Sequence, residues 1–138
     1  MTDRLAVLGT GLIGGSIALA ARTRQPRLVV TGYDEDPASI EGALERGAIN
    51  RSAASPGDAV EGADLVVLCL PVDRIPSTCR ALAEAVPSSA VVTDVGSAKV
   101  AVVREGEAAF GNRFVGGHPM AGSERHGIEA ADRALFES

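Results

Sequence analysis

Six residues near the start of the chain, Gly9-Thr10-Gly11-Leu12-Ile13-Gly14, restrict the fold more than any other stretch. They follow directly on the apolar run Leu5-Ala6-Val7-Leu8, and Asp34 stands twenty positions beyond Gly14 at the end of a second apolar run. The three glycines have separate physical tasks. Gly9 permits a tight turn out of a strand, Gly11 lets the backbone come close to a pyrophosphate, and Gly14 lets the next helix pack tightly on the strand. The unpaired N–H groups that open such a helix face the phosphates. Glycine-rich turns are common, so the motif alone says little. The strand before it, an amphipathic helix after it (Leu12, Ile13, Ile17, Leu19, Ala20) and the spaced acid together predict dinucleotide binding.

The rest of the composition fits one domain built around that motif. With 138 residues, of which 46% are hydrophobic, the chain can bury roughly two-thirds of its unfolded surface. Aromatic residues are only 3% and Trp is absent, so the core is made from Ala, Val, Leu and Ile, which suits parallel strands covered on both faces. A net charge of −5 without a basic cluster argues against a nucleic-acid partner. No apolar stretch reaches the roughly 18 residues needed to cross a bilayer, and no positively charged leader precedes the first strand, so a cytoplasmic protein is expected. Cys69 and Cys79 fall in apolar patterns and read as buried hydrophobes, not as a redox pair or metal ligands. No metal site is expected.

Apolar runs and helical stripes alternate along the chain. Strands are expected near 4–9, 28–33, 48–50, 64–70, 90–94 and 113–117. Helices are expected near 11–22, from the N-cap Asp36 and Pro37 to a stop at Gly47, over 72–86, over 98–109 and around 127–133; residues 52–62 read as a short helix or loop. Pro71 ends the fourth strand. Six strands separated by helices predict an α/β fold of Rossmann type, a doubly wound and mostly parallel sheet with helices on both faces, spanning residues 1–138 as one dinucleotide-binding domain.

In an open parallel sheet, ligands sit beyond the carboxyl ends of the strands, so the residues there carry the candidate chemistry. Gly9, Gly11, Leu12, Ile13, Gly14, Asp34 and Pro71 are the candidate cofactor contacts. A carboxylate at Asp34 accepts from an adenosine ribose and repels a 2′-phosphate, which favours NAD over NADP; Glu35 and Asp36 add negative charge, and no Arg follows immediately. Pro71 reads both as a strand terminator and as a contact to the ribose or nicotinamide. Ser97, just before a helical pattern, reads both as an N-cap and as a hydroxyl that bonds a substrate. Lys99 reads as a solvated helix residue. His118 follows the sixth strand and precedes Pro119, which disfavours helical backbone before it. An imidazole there titrates near neutrality and suits removal of an alcohol proton as hydride leaves its carbon. His126, beside Arg125, reads as a surface residue.

These segments carry a family resemblance. Gly9 through Ser16, Ala63 through Val72, Thr93-Asp94-Val95-Gly96-Ser97-Ala98-Lys99 and Phe114 through Glu124, with the tail from Gly127 to Glu137, are similar to the nucleotide-binding domain of prephenate/arogenate dehydrogenases of tyrosine biosynthesis. The resemblance implies NAD-dependent oxidative decarboxylation of prephenate to 4-hydroxyphenylpyruvate, or of arogenate to tyrosine. It implies that His118 accepts a hydrogen bond from the ring hydroxyl and helps remove its proton, that Ser97 orients that hydroxyl, and that Ser123 and Glu124 line the substrate pocket. Such enzymes continue into a helical C-terminal domain that forms the homodimer and grips the substrate carboxylates, whereas this sequence stops at Ser138. A shortened chain that binds NAD but turns over prephenate poorly is the expectation. Two other readings remain: another dehydrogenase or reductase of the same fold, such as a hydroxyacid dehydrogenase or an imine reductase, and a nucleotide-binding module without catalysis.

Overall fold

In the computed structural model of the chain, residues 3–95 and 99–116 are described. Among them, six strands form one sheet: β1 (Arg4–Leu8), β2 (Val29–Tyr33), β3 (Arg51–Ser52), β4 (Leu65–Leu68), β5 (Val91–Asp94) and β6 (Phe114–Val115). Their spatial order is β3-β2-β1-β4-β5-β6, and every pairing is parallel. The sheet is thus the doubly wound, Rossmann-type arrangement expected from the strand–helix alternation. Among the described residues, five α-helices connect the strands: α1 (Leu12–Arg24), α2 (Pro37–Glu45), α3 (Pro56–Val60), α4 (Ile75–Leu82) and α5 (Lys99–Phe110).

The apolar runs without alternation are explained by where each strand sends its side chains. Successive residues of a strand point to opposite faces. On β1, Leu5 and Val7 join Ala18 of α1, Ala43 of α2 and Ile49 in one core. Ala6 and Leu8 join Ile75 and Leu82 of α4 and Val102 and Phe110 of α5 in the other. Both faces are therefore covered, and a polar residue at any of these positions would be buried without water.

Local signals set most helix ends. Asp36 caps α2 by accepting from the Ala38 N–H at 3.0 Å, and Pro37 occupies the first turn, where no N–H is needed. Ser55 caps α3 by accepting from the Asp58 N–H at 3.1 Å. Asp64 ties the beginning of β4 to that of β1: its Oδ2 accepts from the Asp3 and Arg4 N–H groups, each at 2.9 Å. Those two bonds hold its carboxyl below the usual carboxylate range.

Four expectations need correction. The third strand lies at Arg51–Ser52, not at 48–50. Ala48 and Ile49 are apolar because they are buried in the turn leaving α2, where both N–H groups donate to the Ala43 carbonyl; the edge ladder itself is made by exposed polar residues. The fourth strand stops at Leu68, so Pro71 does not end it. Pro71 instead opens a 3-10 turn over Val72–Arg74, its carbonyl accepting from the Arg74 N–H at 2.8 Å. The helix expected over 72–86 is correspondingly shorter, beginning as α4 only at Ile75 with Pro76 in its first turn. The helix after the glycine turn, finally, buries its small residues Gly14, Gly15, Ser16 and Ala18, while Leu12, Ile13, Ile17 and Leu19 are half-buried. The expected helix around 127–133 lies outside the described residues.

Candidate functional site

The glycine turn is shaped by close approaches that exclude side chains. Gly9 has a φ of +98°, and a Cβ there would come within 2.3 Å of the Cys69 carbonyl oxygen. Its N–H donates to the Tyr33 carbonyl at 2.7 Å, continuing the β1–β2 ladder into the turn. A Cβ on Gly14 would lie 1.8 Å from the carbonyl oxygen of Gly9. The first turn of α1 therefore rests directly on the backbone leaving β1, and this contact explains why the helix buries small residues. Gly11 differs, since a Cβ there would meet no atom within 4 Å among the described residues. Gly11 is also the N-cap of α1, with no side-chain hydrogen bond to the opening amides. The helix thus presents donors and the positive end of its dipole without a capping acceptor.

Asp34 is built into this turn more deeply than its sequence position suggests. Its Oδ2 accepts from the Thr10 N–H at 2.8 Å and, more weakly, from the Thr10 hydroxyl at 3.3 Å. Its Oδ1 accepts from the Asp36 N–H at 2.9 Å. One carboxylate thereby fixes both the glycine turn and the entry to α2. A carboxylate offers about four acceptor positions, so Oδ1 retains capacity for a further donor such as a ribose hydroxyl. Thr10, completely buried, is a site residue that the sequence reading passed over; a hydroxyl-bearing residue between the first two glycines was its available signal.

Gly9, Gly11, Asp34 and Pro71 line a single cavity of about 400 Å³, together with Glu35, Asp36, Leu70 and Arg74. Four of the seven candidate cofactor contacts are thus brought together. Leu12, Ile13 and Gly14 occupy the adjoining first turn of α1. Arg74 is the second residue missed: it forms an ion pair with Glu35 across the rim, and the two stand 39 positions apart in the chain, so no local pattern reports it. A second cavity, also about 400 Å³, involves Arg4, Val29, Arg51 and Asp58. It lies where β1 and β2 begin, away from the glycine turn, and includes none of the candidate residues. Ser97, His118, Ser123 and Glu124 lie outside the described residues.

Asp94 ends β5 fully buried, and it bears on both cysteines. Burial first, then the charge of Asp94, raises the thiol pKa of Cys69 far above its usual value and pushes that of Cys79 up to about 11. Cys79 is buried, as expected of a small hydrophobe, whereas Cys69 is only half-buried and lines the glycine-turn cavity. Because the folded state favours the neutral thiol of Cys79, its contribution to stability is full below pH 9, the unfolded value, and is lost as pH rises through about 11. Ellman's reagent at pH 8 is therefore expected to leave the buried Cys79 thiol of the folded chain unmodified and to titrate two thiols after denaturation; rapid labelling of two thiols without unfolding would contradict the assignment. Among the described residues, no cluster of His, Cys, Asp and Glu could hold a metal ion, and no helix is long and apolar enough to cross a membrane.

Residues 17–138 match the family described as prephenate dehydrogenase, nucleotide-binding domain. Among curated proteins, a prephenate dehydrogenase of Bacillus subtilis is 38% identical over 100% of this chain and 38% of its own length. A cyclohexadienyl dehydrogenase of Zymomonas mobilis is 34% identical over 96% of this chain and 46% of its own. Among solved structures, prephenate dehydrogenase from A. aeolicus, in complex with hydroxyphenyl propionate and NAD+, superimposes with a TM-score of 0.90 at 34% identity, covering 99% of this chain and 48% of that one. The chain thus spans less than half the length of each of these relatives.

Proposed function

This chain belongs to the family of prephenate dehydrogenase nucleotide-binding domains, and from that premise we propose that it holds NAD for the oxidative decarboxylation of prephenate or arogenate. The observation that carries the reading is the meeting of Gly9, Gly11 and Asp34 at one cavity in front of the uncapped start of α1. The residues present fit the cofactor. The opening amides of α1, around Leu12, Ile13 and Gly14, donate to a pyrophosphate. The open side of Gly11 lets it approach, and the remaining acceptor capacity of Asp34 Oδ1 takes a ribose hydroxyl. Pro71, exposed on the same rim, borders the nicotinamide half.

When bound, the nicotinamide supplies a hydride acceptor. His118 accepts the proton of the ring hydroxyl as the hydride leaves its carbon, Ser97 orients that hydroxyl, and Ser123 and Glu124 border the substrate. Loss of carbon dioxide then leaves an aromatic ring, which makes the step strongly downhill. Residues 1–138 act as the dinucleotide-binding domain, and turnover draws in addition on the remaining length that the relatives possess, which grips the substrate carboxylates and forms a homodimer. The setting is cytoplasmic. Family membership favours this reading over a hydroxyacid dehydrogenase or an imine reductase.

Calorimetric titration of the chain tests the reading directly. NAD is expected to bind with saturable heat and NADP at least about tenfold more weakly, a difference of about 1.4 kcal/mol. Prephenate and NAD together are expected to yield little NADH from the 138 residues alone. Absence of NAD binding at millimolar nucleotide, or brisk turnover by the isolated chain, would overturn it.

A further inference from the structure

The geometry points to Glu35 as a second determinant of nucleotide choice, acting by engaging the one cation on this rim among the described residues, Arg74. The inference rests on the NAD reading above and deepens it. Three carboxylates, Asp34, Glu35 and Asp36, share the cavity with that single guanidinium. The Arg74 and Glu35 side chains are 52% and 63% exposed, so their ion pair adds little to stability. Its effect lies in where the guanidinium is held and what it is free to do.

A 2′-phosphate on the adenosine ribose carries roughly −1.5 to −2 charges near neutrality. It would require a cation with a planar donor fork, and Arg74 offers one. Glu35 engages one nitrogen of that fork, Arg74 Nη1 donating to Glu35 Oε1, and so holds the guanidinium and its charge, while Asp34 beside it repels the phosphate. The backbone of Arg74 cannot drift off the rim when the pair is broken. Its N–H donates to the Pro71 carbonyl at 2.8 Å, and its own carbonyl accepts from the Thr78 hydroxyl at 2.8 Å and the Ser77 hydroxyl at 3.1 Å. Removing the charge at position 35 therefore leaves a guanidinium anchored at the cavity, free to pair with a phosphate. Discrimination against NADP in this chain is thus divided between repulsion by Asp34 and the sequestering of Arg74 by Glu35.

The test compares calorimetric titrations of NAD and NADP into the chain, into Glu35→Gln and into Glu35→Gln/Arg74→Ala, with thermal melts confirming that these exposed substitutions leave the fold intact. Glu35→Gln is expected to tighten NADP by about fivefold, the most that an exposed pair withholds, while changing NAD by less than about twofold, and the added Arg74→Ala is expected to abolish the gain. Unchanged NADP affinity in Glu35→Gln, or a gain that survives Arg74→Ala, would overturn the inference while leaving the NAD reading standing. Failure of the unsubstituted chain to bind NAD would strike that reading itself, and the inference with it.

Discussion

Replacing Gly14 by Ala is expected to remove nucleotide binding and to destabilise the chain together, because the new methyl group would lie 1.8 Å from the Gly9 carbonyl oxygen. A backbone atom cannot swing aside as a side-chain tip can, so α1 must lift away from β1. Overpacking of this kind costs about 1–3 kcal/mol. Displacing positioned groups by about an ångström weakens what they position by a factor on the order of 100. Gly11→Ala supplies the contrast, since its Cβ would meet no atom within 4 Å among the described residues while the residue lines the cavity. That variant should lose nucleotide binding at a stability cost of at most about 1 kcal/mol, the scale of an unfavourable N-cap exchange. Urea melts and calorimetric titration of both variants check the pair. Equal effects of the two substitutions on stability would contradict the division drawn between a packing glycine and a ligand-facing one.

The second large effect concerns His118. In an active dehydrogenase that contains this chain, His118→Asn is expected to lower kcat by about 10²–10⁴-fold, the usual contribution of a positioned proton acceptor. NAD affinity should stay the same, because Asn keeps a polar side chain of similar size without a titratable base. Steady-state kinetics alongside nucleotide titration separate the outcomes. A variant that binds NAD and turns over at the original rate would reduce the domain to a nucleotide holder and leave proton removal to another group. Parallel loss of NAD binding would show a structural part for the imidazole.

What the sequence revealed and what it concealed divide along a physical line. The glycine turn, the Asp36 cap and the alternation of buried runs are local: each depends on residues a few positions apart, and each was legible. The displacement of β3 shows the limit of apolar periodicity. Ala48 and Ile49 are buried because they fill the space under α2, while the pairing with β2 falls to Arg51 and Ser52, whose polar character gives no strand signal. The amphipathic stripe expected for α1 is met only in part for a related reason: the close approach at Gly14 turns the smallest residues innermost, while Ile17 and Leu19 pack half-buried against the same core. At the site, Asp34 was recognisable from its spacing, but its bonds to Thr10 and Asp36 were not. The Arg74–Glu35 pair depends on β4 lying beside β1 and β1 beside β2, a juxtaposition that no window of neighbouring residues contains.

The strand order has a consequence for how the polypeptide is made. Of the six strands, the one made first, β1, becomes the middle of the finished sheet, with β2 on one side and β4 on the other. Its second neighbour is not synthesised until Leu65–Leu68, so Ala6 and Leu8, which face the second core, wait until that strand and the helices after it are made for their full cover. Assembly of this type relies on distant pairings and is slow for its length, and β1 is the strand most in need of shielding while it waits.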